Sequence, residues 1–466
     1  EKPFHLILLT DLEANKRHSE SLLLYIVVNV LYDRRGRGGA VLELAGKTSR
    51  ISGFYKLPMK ERLKTVAEFA GLSEEDVKLL SKEGNLDFKT ADIMIENVIG
   101  TMAYPFAVAV NFRINGKDYM VPMVIEESSV VAAASNAARV MRRDGGIKAK
   151  ATAPVMIGQI QVLDVKDPWY KKMLVLEHKD EILDLANKQD PILVKLGGGA
   201  KDVEVRVLDS PRGPMMVVHL LVDVRDAMGA NAVNTMCEKV APLIEKITGG
   251  RVLLRIISNL ADRRIVRAWV KVYKEDIGGE DVVDAIVDAW SFAATDPYRA
   301  ATHNKGIMNG IIAVALATAQ DHRAIEAGAH AYAARNGRYE PLSYWEKDKD
   351  GNLVGSIELP LAVGIVGGAT KVHPVARVAL KILGVKTANE LAEVMAAVGL
   401  AQNFAALRAL ATEGIQKGHM KLHARNLAVM AGAEGELIDK VAEIMIKEGK
   451  ISFVRAKELV EQLKTG

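Results

Sequence analysis

The chain has a single cysteine, Cys237, in 466 residues. One thiol closes no intrachain disulfide and supplies no CxxC framework for zinc or iron–sulfur, so the expected setting is a reducing, cytoplasmic one. Charge of one sign is also missing. Against 58 acidic residues stand 62 Lys and Arg, a net +4, too little over this length to focus a field on nucleic acid. The longest apolar run, residues 22–32, is interrupted by Asn29 and falls well short of the ~20 residues of a membrane span. The mixed charges of Lys16, Arg17 and Glu20 before it are not those of a signal peptide. The expectation is a soluble protein without a membrane or nucleic-acid partner.

Common site motifs are missing as well. Gly364-Ile365-Val366-Gly367-Gly368-Ala369 has the wrong spacing for a dinucleotide turn, and Gly46-Lys47-Thr48 ends like a phosphate loop whose first glycine falls on Val41. HExxH and GxSxG are absent. His419 and His423 stand four apart on one helical face, but no acid lies between them and no cysteine is at hand, so no metal is expected.

What is present is an ordinary globular composition, 49% apolar and 26% charged, at a length that predicts about three domains. Residues 1–46 read as an appendage, joined through the flexible text Asp33-Arg34-Arg35-Gly36-Arg37-Gly38-Gly39. Folded text starts near Ile51, with a helical pattern through Leu63, Val66 and Phe69 and Ser73 as the cap of the next helix. Over 154–257 the order is strand (155–165), helix opened by Asp167-Pro168 and running to about Asn187, strands (203–208 and 215–224), helix (230–247) and strand (252–257). This βαββαβ order predicts a ferredoxin-like unit with a mainly antiparallel sheet. Helical Ala/Leu/Val text at 130–143, 284–333 and 374–464, with short strands at 108–124 and 265–272, surrounds it. The fold class is read as α+β, with the small unit inserted into a large, mainly helical domain.

Four segments set polar groups inside apolar, small-residue text, where an unpaired group costs roughly 1–3 kcal/mol. In the first, Glu126-Glu127-Ser128-Ser129 joins a strand to an Ala-rich helix. A serine there can cap the helix, its N–H groups can receive an anion, and the carboxylates also fit plain first-turn charges. In the second, Asp296 to Gly310, Lys305 lies between Asn304 and Gly306 and can project at a ligand or into solvent. Asp321, in the third, opens a helix and is explained equally by capping. The fourth pairs Gln402 with Asn403 in a small-residue helix, as ligand-binding amides or as two solvated ones, and Gly418 before His419 suggests a hinge for a movable last segment.

Glu96-Asn97-Val98-Ile99-Gly100, Glu126-Glu127-Ser128-Ser129, Asp226-Ala227-Met228-Gly229-Ala230-Asn231, His303-Asn304-Lys305-Gly306 and Gly418-His419-Met420, in this order and spacing, closely resemble hydroxymethylglutaryl-CoA reductase of the class II, prokaryotic type. The likeness runs from about Ile51 to the C-terminus. It implies a large substrate-binding domain (47–153 and 258–415), the inserted ferredoxin-like domain (154–257) as the NAD(P) carrier and a C-terminal helical flap (416–466). Text at 309–314 is more apolar than the Asp-Pro sequence of some members, where a loop is expected, and 1–46 has no counterpart.

The resemblance implies reduction of (S)-3-hydroxy-3-methylglutaryl-CoA to mevalonate and CoA by two hydride transfers, or the reverse. Its catalytic set maps to Glu127 as proton donor, Lys305 as oxyanion stabiliser, Asp321 as their tuner and His419 as the acid for the leaving CoA sulfur. Ser129, Arg299, Thr302, Asn309, Gln402, Asn403 and His423 match positions around the hydroxymethylglutaryl group, Arg299 suiting its carboxylate. For the cofactor the match gives Asp226, Ala227, Met228, Gly229 and Asn231 at a helix N-terminus. Asp190 falls near the adenine ribose, where a carboxylate favours NADH over NADPH. A homodimer or dimer-based assembly with shared sites, Glu96-Asn97 near the interface, is also implied. The rival readings are a different acyl-CoA reductase and, from another class, an RNA-binding module, which the absence of stacking aromatics in 215–224 disfavours.

Overall fold

The computed structural model describes residues 47–412 and 415–465, and of 415–422 and 465 the backbone alone. The chain divides into two compact units, 1–48 and 49–466. The expected appendage, 1–46, lies outside the described residues.

The second unit opens with helices α1 (Met59–Ala70), α2 (Glu74–Ser81) and α3 (Phe88–Met94). Ser73 caps α2 as expected, in a reciprocal box with Asp76, and Asp87 caps α3, contacts that stabilise a helix by about 1 kcal/mol each. A hairpin follows, β1 (Phe106–Ile114) and β2 (Lys117–Val124), then α4 (Val130–Val140) and β3 (Lys148–Ala151). Its two-residue turn, Asn115-Gly116, has both residues at positive φ, the conformation that matches strand twist and that this dipeptide adopts readily.

Next come β4 (Val155–Leu163), α5 (Pro168–Glu177), α6 (Lys179–Asn187), α7 (Pro191–Lys195), β5 (Gly199–Leu208), β6 (Met215–Asp223), α8 (Ala230–Thr248) and β7 (Arg251–Ile257). The four strands form one antiparallel sheet in the order β5-β6-β4-β7. Helix α8 lays Val233, Met236, Cys237, Val240 and Ile244 into a core shared with Met156, Ile160, Val218 and Leu220. Gly158 of β4 makes the fit possible, because a Cβ there would meet Cys237 Sγ at 2.2 Å. Burial pushes the Cys237 thiol up to about 12, so it packs as a small hydrophobe.

The chain continues through β8 (Ile265–Val272), α9 (Glu280–Thr295), α10 (Pro297–Ala317), α11 (His322–Ala333), β9 (Ser343–Lys347) and β10 (Leu353–Pro360). A second antiparallel sheet has the order β3-β8-β10-β9. Last come α12 (Gly368–Val372), α13 (Pro374–Leu383), α14 (Ala388–Ala411), α15 (Ile415–Met430), α16 (Glu436–Glu448) and α17 (Phe453–Thr465). The final three helices share a separate small core of Leu427, Val441, Met445 and Leu459. The architecture is mixed helix and antiparallel sheet.

The centre of the larger core is α14, in which Leu391, Val394, Val398, Leu400 and Leu407 are fully buried. Each such side chain contributes roughly 1.5–3 kcal/mol on leaving water. With a mean hydropathy of 1.4 over 18 residues, α14 is long and apolar enough to cross a membrane, yet 67% of that window is buried inside the protein. Its hydropathy is that of a core helix covered on all sides. Helices α10 and α14 meet at two glycines. A Cβ at Gly399 would meet Ile311 Cδ1 at 2.8 Å, and one at Gly310 would meet Gln402 Cβ at 3.0 Å and the Val398 carbonyl at 3.2 Å.

Several local expectations change. The helix expected from Asp167 to Asn187 is two helices joined at His178, and Asp167 starts the first at φ 53 without a side-chain cap. Ser129 likewise precedes α4 at φ 74 and makes no capping bond. The loop expected at 309–314 is a continuous stretch of α10, and the hinge expected at Gly418 is the interior of α15. The β9–β10 hairpin was not foreseen, although Asp350-Gly351 is a turn signal. Its strands gain their stability from pairing with distant β8.

The two glycines at the crossing of α10 and α14 and the one beside Lys305 should respond oppositely to substitution. Gly399→Val should lower stability by about 1–3 kcal/mol through overpacking. Gly306→Ala, which meets nothing within 4 Å, should be neutral or raise it by about 0.5–1 kcal/mol. Urea midpoints of the two variants check this; equal shifts would contradict the close crossing.

Candidate active site

Helix α10 starts on a strong signal, Asp296 accepting from Arg299 N with Pro297 at the first helical position. Its turns put Ala300, His303, Asn304, Ile307 and Ile311 into the core and leave Lys305 exposed. Strand β2 and the bend after it bring Glu127 to the same place. Lys305 Nζ donates to Glu127 Oε2 at 2.8 Å, with the two side chains 60% and 38% exposed. Asn309 Nδ2 reaches the same oxygen at 3.4 Å. An ion pair this open adds only about 0–1 kcal/mol to stability, so the fold does not need it.

Several polar groups of the expected set lack a partner among the described residues. Ser129 Oγ and Gln402 Oε1 are buried and unpartnered, a condition that native proteins rarely keep without a ligand, water or ion to answer it. Arg299 is half-buried, and among the described residues no carboxylate pairs with it; burial alone holds its guanidinium below the ordinary value. Thr302 is exposed, with its hydroxyl 3.4 Å from the Tyr298 carbonyl. The expected set thus offers an ammonium and a carboxylate in contact and, among the described residues, a guanidinium without an acidic partner and two orphaned polar groups, chemistry suited to a substrate carrying both a polarisable carbonyl and a carboxylate.

The fold itself accounts for several of the expected residues. Gln402 and Asn403 are not solvated: they are 6% and 1% exposed. Asn403 accepts from Ser343 Oγ and Trp345 Nε1 and faces His303, so its amide is turned into the core and away from a substrate. Asp321 caps α11 through Ala324 N and pairs with Arg323 at 3.2 Å. Among the described residues no hydrogen bond or ion pair joins it to Glu127 or Lys305. His423 is exposed on α15. The side chain of His419 lies outside the described residues.

The expected cofactor segment follows β6. Gly229, at φ 100, precedes α8, and a Cβ there would meet Val224 Cγ1 at 2.4 Å. No acid occupies the first turn of this 19-residue helix, and Asn231 there is exposed, so its N-terminal N–H groups suit an anion. Sequence reasoning missed what anchors the segment. Asp226 Oδ1 accepts from Ala388 N, the first residue of α14. Arg264, 3% exposed, donates to the carbonyls of Ala227, Met228 and Val363. Desolvation lowers its guanidinium to about 10, with Asp223 and Asp226 acting the other way. A Cβ at Gly364 would meet Met228 N at 2.6 Å. No local sequence pattern announces this arginine, since its partners are carbonyls brought in from two distant segments. Asp190 is the cap of α7, accepting from Leu193 N at 2.9 Å.

A family model described as hydroxymethylglutaryl-coenzyme A reductase matches residues 58–424. The 3-hydroxy-3-methylglutaryl-coenzyme A reductase of Archaeoglobus fulgidus is 63% identical over 418 residues, 90% of this chain and 95% of that one. A probable reductase of the same name from Borreliella burgdorferi is 36% identical over 81% of this chain and 88% of its own. Among solved structures, the class II 3-hydroxy-3-methylglutaryl-CoA reductase of Streptococcus pneumoniae, bound to NADPH in open conformations, matches with a TM-score of 0.75. It is 40% identical and covers 88% of this chain and 100% of that one. On the family match and these identities, the chain belongs to the hydroxymethylglutaryl-CoA reductase family, in its class II branch.

Proposed function

We propose that the chain reduces (S)-3-hydroxy-3-methylglutaryl-CoA to mevalonate and CoA for isoprenoid synthesis, with Lys305 and Glu127 as its reacting polar pair. Mevalonate breakdown by the reverse reaction is the alternative. The exposed 2.8 Å pair, together with the orphaned Ser129 Oγ and Gln402 Oε1 and an Arg299 that has no acidic partner among the described residues, is the observation that carries the reading. The large domain (47–153 and 258–415) binds substrate, the unit 154–257 binds the nicotinamide cofactor, and 416–466 closes as a flap.

The bound nicotinamide supplies hydride in each of the two reductions. Charge then develops on the carbonyl oxygen, and the Lys305 ammonium, already in place, stabilises it without solvent reorganisation. Glu127, protonated for this step, gives its proton to the second oxyanion, from mevaldehyde, and is left as the carboxylate, while a protonated His419 gives its proton to the departing CoA sulfur. Arg299 holds the distal carboxylate in bidentate fashion, while Ser129, Thr302, Asn309, Gln402 and His423 complete the substrate set. The segment Asp226, Ala227, Met228, Gly229 and Asn231 receives the cofactor phosphates on N–H groups at the α8 N-terminus, the Asp226 carboxylate anchoring the segment to α14, and Asp190 repels a 2′-phosphate, so NADH is preferred to NADPH. The exposed apolar side chains of Ile95, Ile99 and Met102, around Glu96-Asn97, support a homodimer with shared sites. The single buried Cys237 is in keeping with a cytoplasmic setting.

Oxidation of NADH should be fast with hydroxymethylglutaryl-CoA and negligible with acetyl-CoA or succinyl-CoA. Equal turnover of the three would overturn the substrate, and equal kcat/KM with NADPH would overturn the cofactor preference. Lys305→Ala should abolish both reduction steps while CoA-ester binding stays measurable by calorimetry; near-normal turnover would remove Lys305 from the mechanism. Asp321→Asn keeps an acceptor for the α11 cap and removes the charge. It should lower kcat by ~10²-fold or more with an unchanged unfolding midpoint, and a loss below about threefold would reduce Asp321 to its capping role.

A further inference from the structure

The turn of α10 that carries Lys305 is gripped from its buried side by polar groups for which the reaction has no use. Asn304, fully buried, donates from Nδ2 to the Glu340 carbonyl and accepts at Oδ1 from Leu342 N, both at 2.9 Å. His303 is 2% exposed, with Nε2 2.7 Å from Ser343 Oγ and 3.0 Å from Asn403 Nδ2. Asn403 Oδ1 accepts from Trp345 Nε1 at 2.7 Å and from Ser343 Oγ at 2.8 Å. These contacts tie α10 to β9 and to α14 at one point.

Trp345 sets the direction of the network, because an indole N–H only donates. It holds the oxygen of Asn403 on its own side, so the Asn403 amide N–H points at His303 Nε2. That nitrogen then carries the lone pair, the single Ser343 hydroxyl proton is shared between it and Asn403 Oδ1, and the ring proton sits on Nδ1. Burial, with the Arg299 charge one turn earlier, lowers the imidazole to about 3, which keeps the ring neutral. Nδ1 is itself buried and, among the described residues, without a partner, so no contact there selects this tautomer.

We propose that Trp345, acting through Asn403, holds His303 as the neutral Nδ1–H tautomer, and that this buried chain with Asn304 fixes the rotation of α10 that delivers Lys305 to Glu127. The inference rests on the reading of Lys305 as the reacting ammonium. His303 touches no reactant and is a positioning residue. At about 100° per residue, His303 and Lys305 point to opposite sides of α10. A grip on one therefore sets the aim of the other.

Nitrogen-15 NMR of the full-length chain reads the tautomer, the His303 signal being identified among the ten histidines by its loss in His303→Gln. The wild type should show a protonated Nδ1 and a bare Nε2 at neutral pH, and Trp345→Phe, which keeps a ring and removes the donor, should lose that single state. His303→Leu should lower kcat by ~10²-fold, the effect of about 1 Å of misplacement at a reacting group, with KM for the CoA ester little changed. His303→Gln, whose Oε1 can stand in for Nε2, should recover most of the rate. A structural role alone would lower the unfolding midpoint of His303→Leu and leave kcat per folded enzyme unchanged, which overturns the proposal, as does a wild-type Nε2–H tautomer. Where His303→Leu does not fold, the kcat of Trp345→Phe decides: a fall without a KM change supports the positioning role, and a wild-type value overturns it. A wild type inactive on hydroxymethylglutaryl-CoA refutes the assigned reaction, while the NMR result still decides the network.

Discussion

The close crossing of α10 and α14, possible because positions 310 and 399 carry no side chain, is the constraint from which the rest of the site follows. Dispersion and burial gain most where helices approach to the backbone, and here that approach fixes the stretch of α10 from which Lys305 and Asn309 both reach Glu127 Oε2. Glu127 reaches the same point from the end of β2, and α4, which follows it, packs into the same core. The open ion pair between Lys305 and Glu127 is thus a product of apolar packing elsewhere. It adds little to the stability of the fold that creates it.

Buried polar groups then remove the freedom that apolar packing leaves. Helix against helix tolerates small rotations, whereas a hydrogen-bonded network has one satisfied arrangement and a cost for every other. His303, Asn304, Ser343, Asn403 and Trp345 impose one such arrangement at the reacting end of α10. Arg264 does the same at the junction of the two sheets, where its guanidinium collects carbonyls from 227, 228 and 363. Both networks turn loose adjacency into fixed geometry, one beneath the reacting groups and one beneath the expected cofactor segment.

Legibility of the sequence followed the range of the forces involved. Caps at Ser73, Asp87 and Asp296, the Asn115-Gly116 turn and the alternation of strands and helices over 154–257 depend on neighbours a few residues away. Each could be read or is consistent with a local signal. Asp167 and Ser129 misled because the residue type suits a cap while the observed positive φ turns the side chain from that task. The β9–β10 hairpin escaped because its stability comes from β8, some eighty residues earlier. Gln402 and Asn403 look like surface amides until the partners that bury them are known.

The residues alone determined the chemistry on offer: one inert thiol, no metal framework, and a Lys, a Glu and an Arg set in small-residue text whose order matches a reductase family. They determined this because residue type and spacing are local quantities. Tertiary structure alone decided which of those groups meet. It joined Lys305 to Glu127 across 178 positions and turned Asn403 inward to Trp345. Such meetings depend on the packing of helices and strands far apart in sequence, and no local pattern encodes the distance between them.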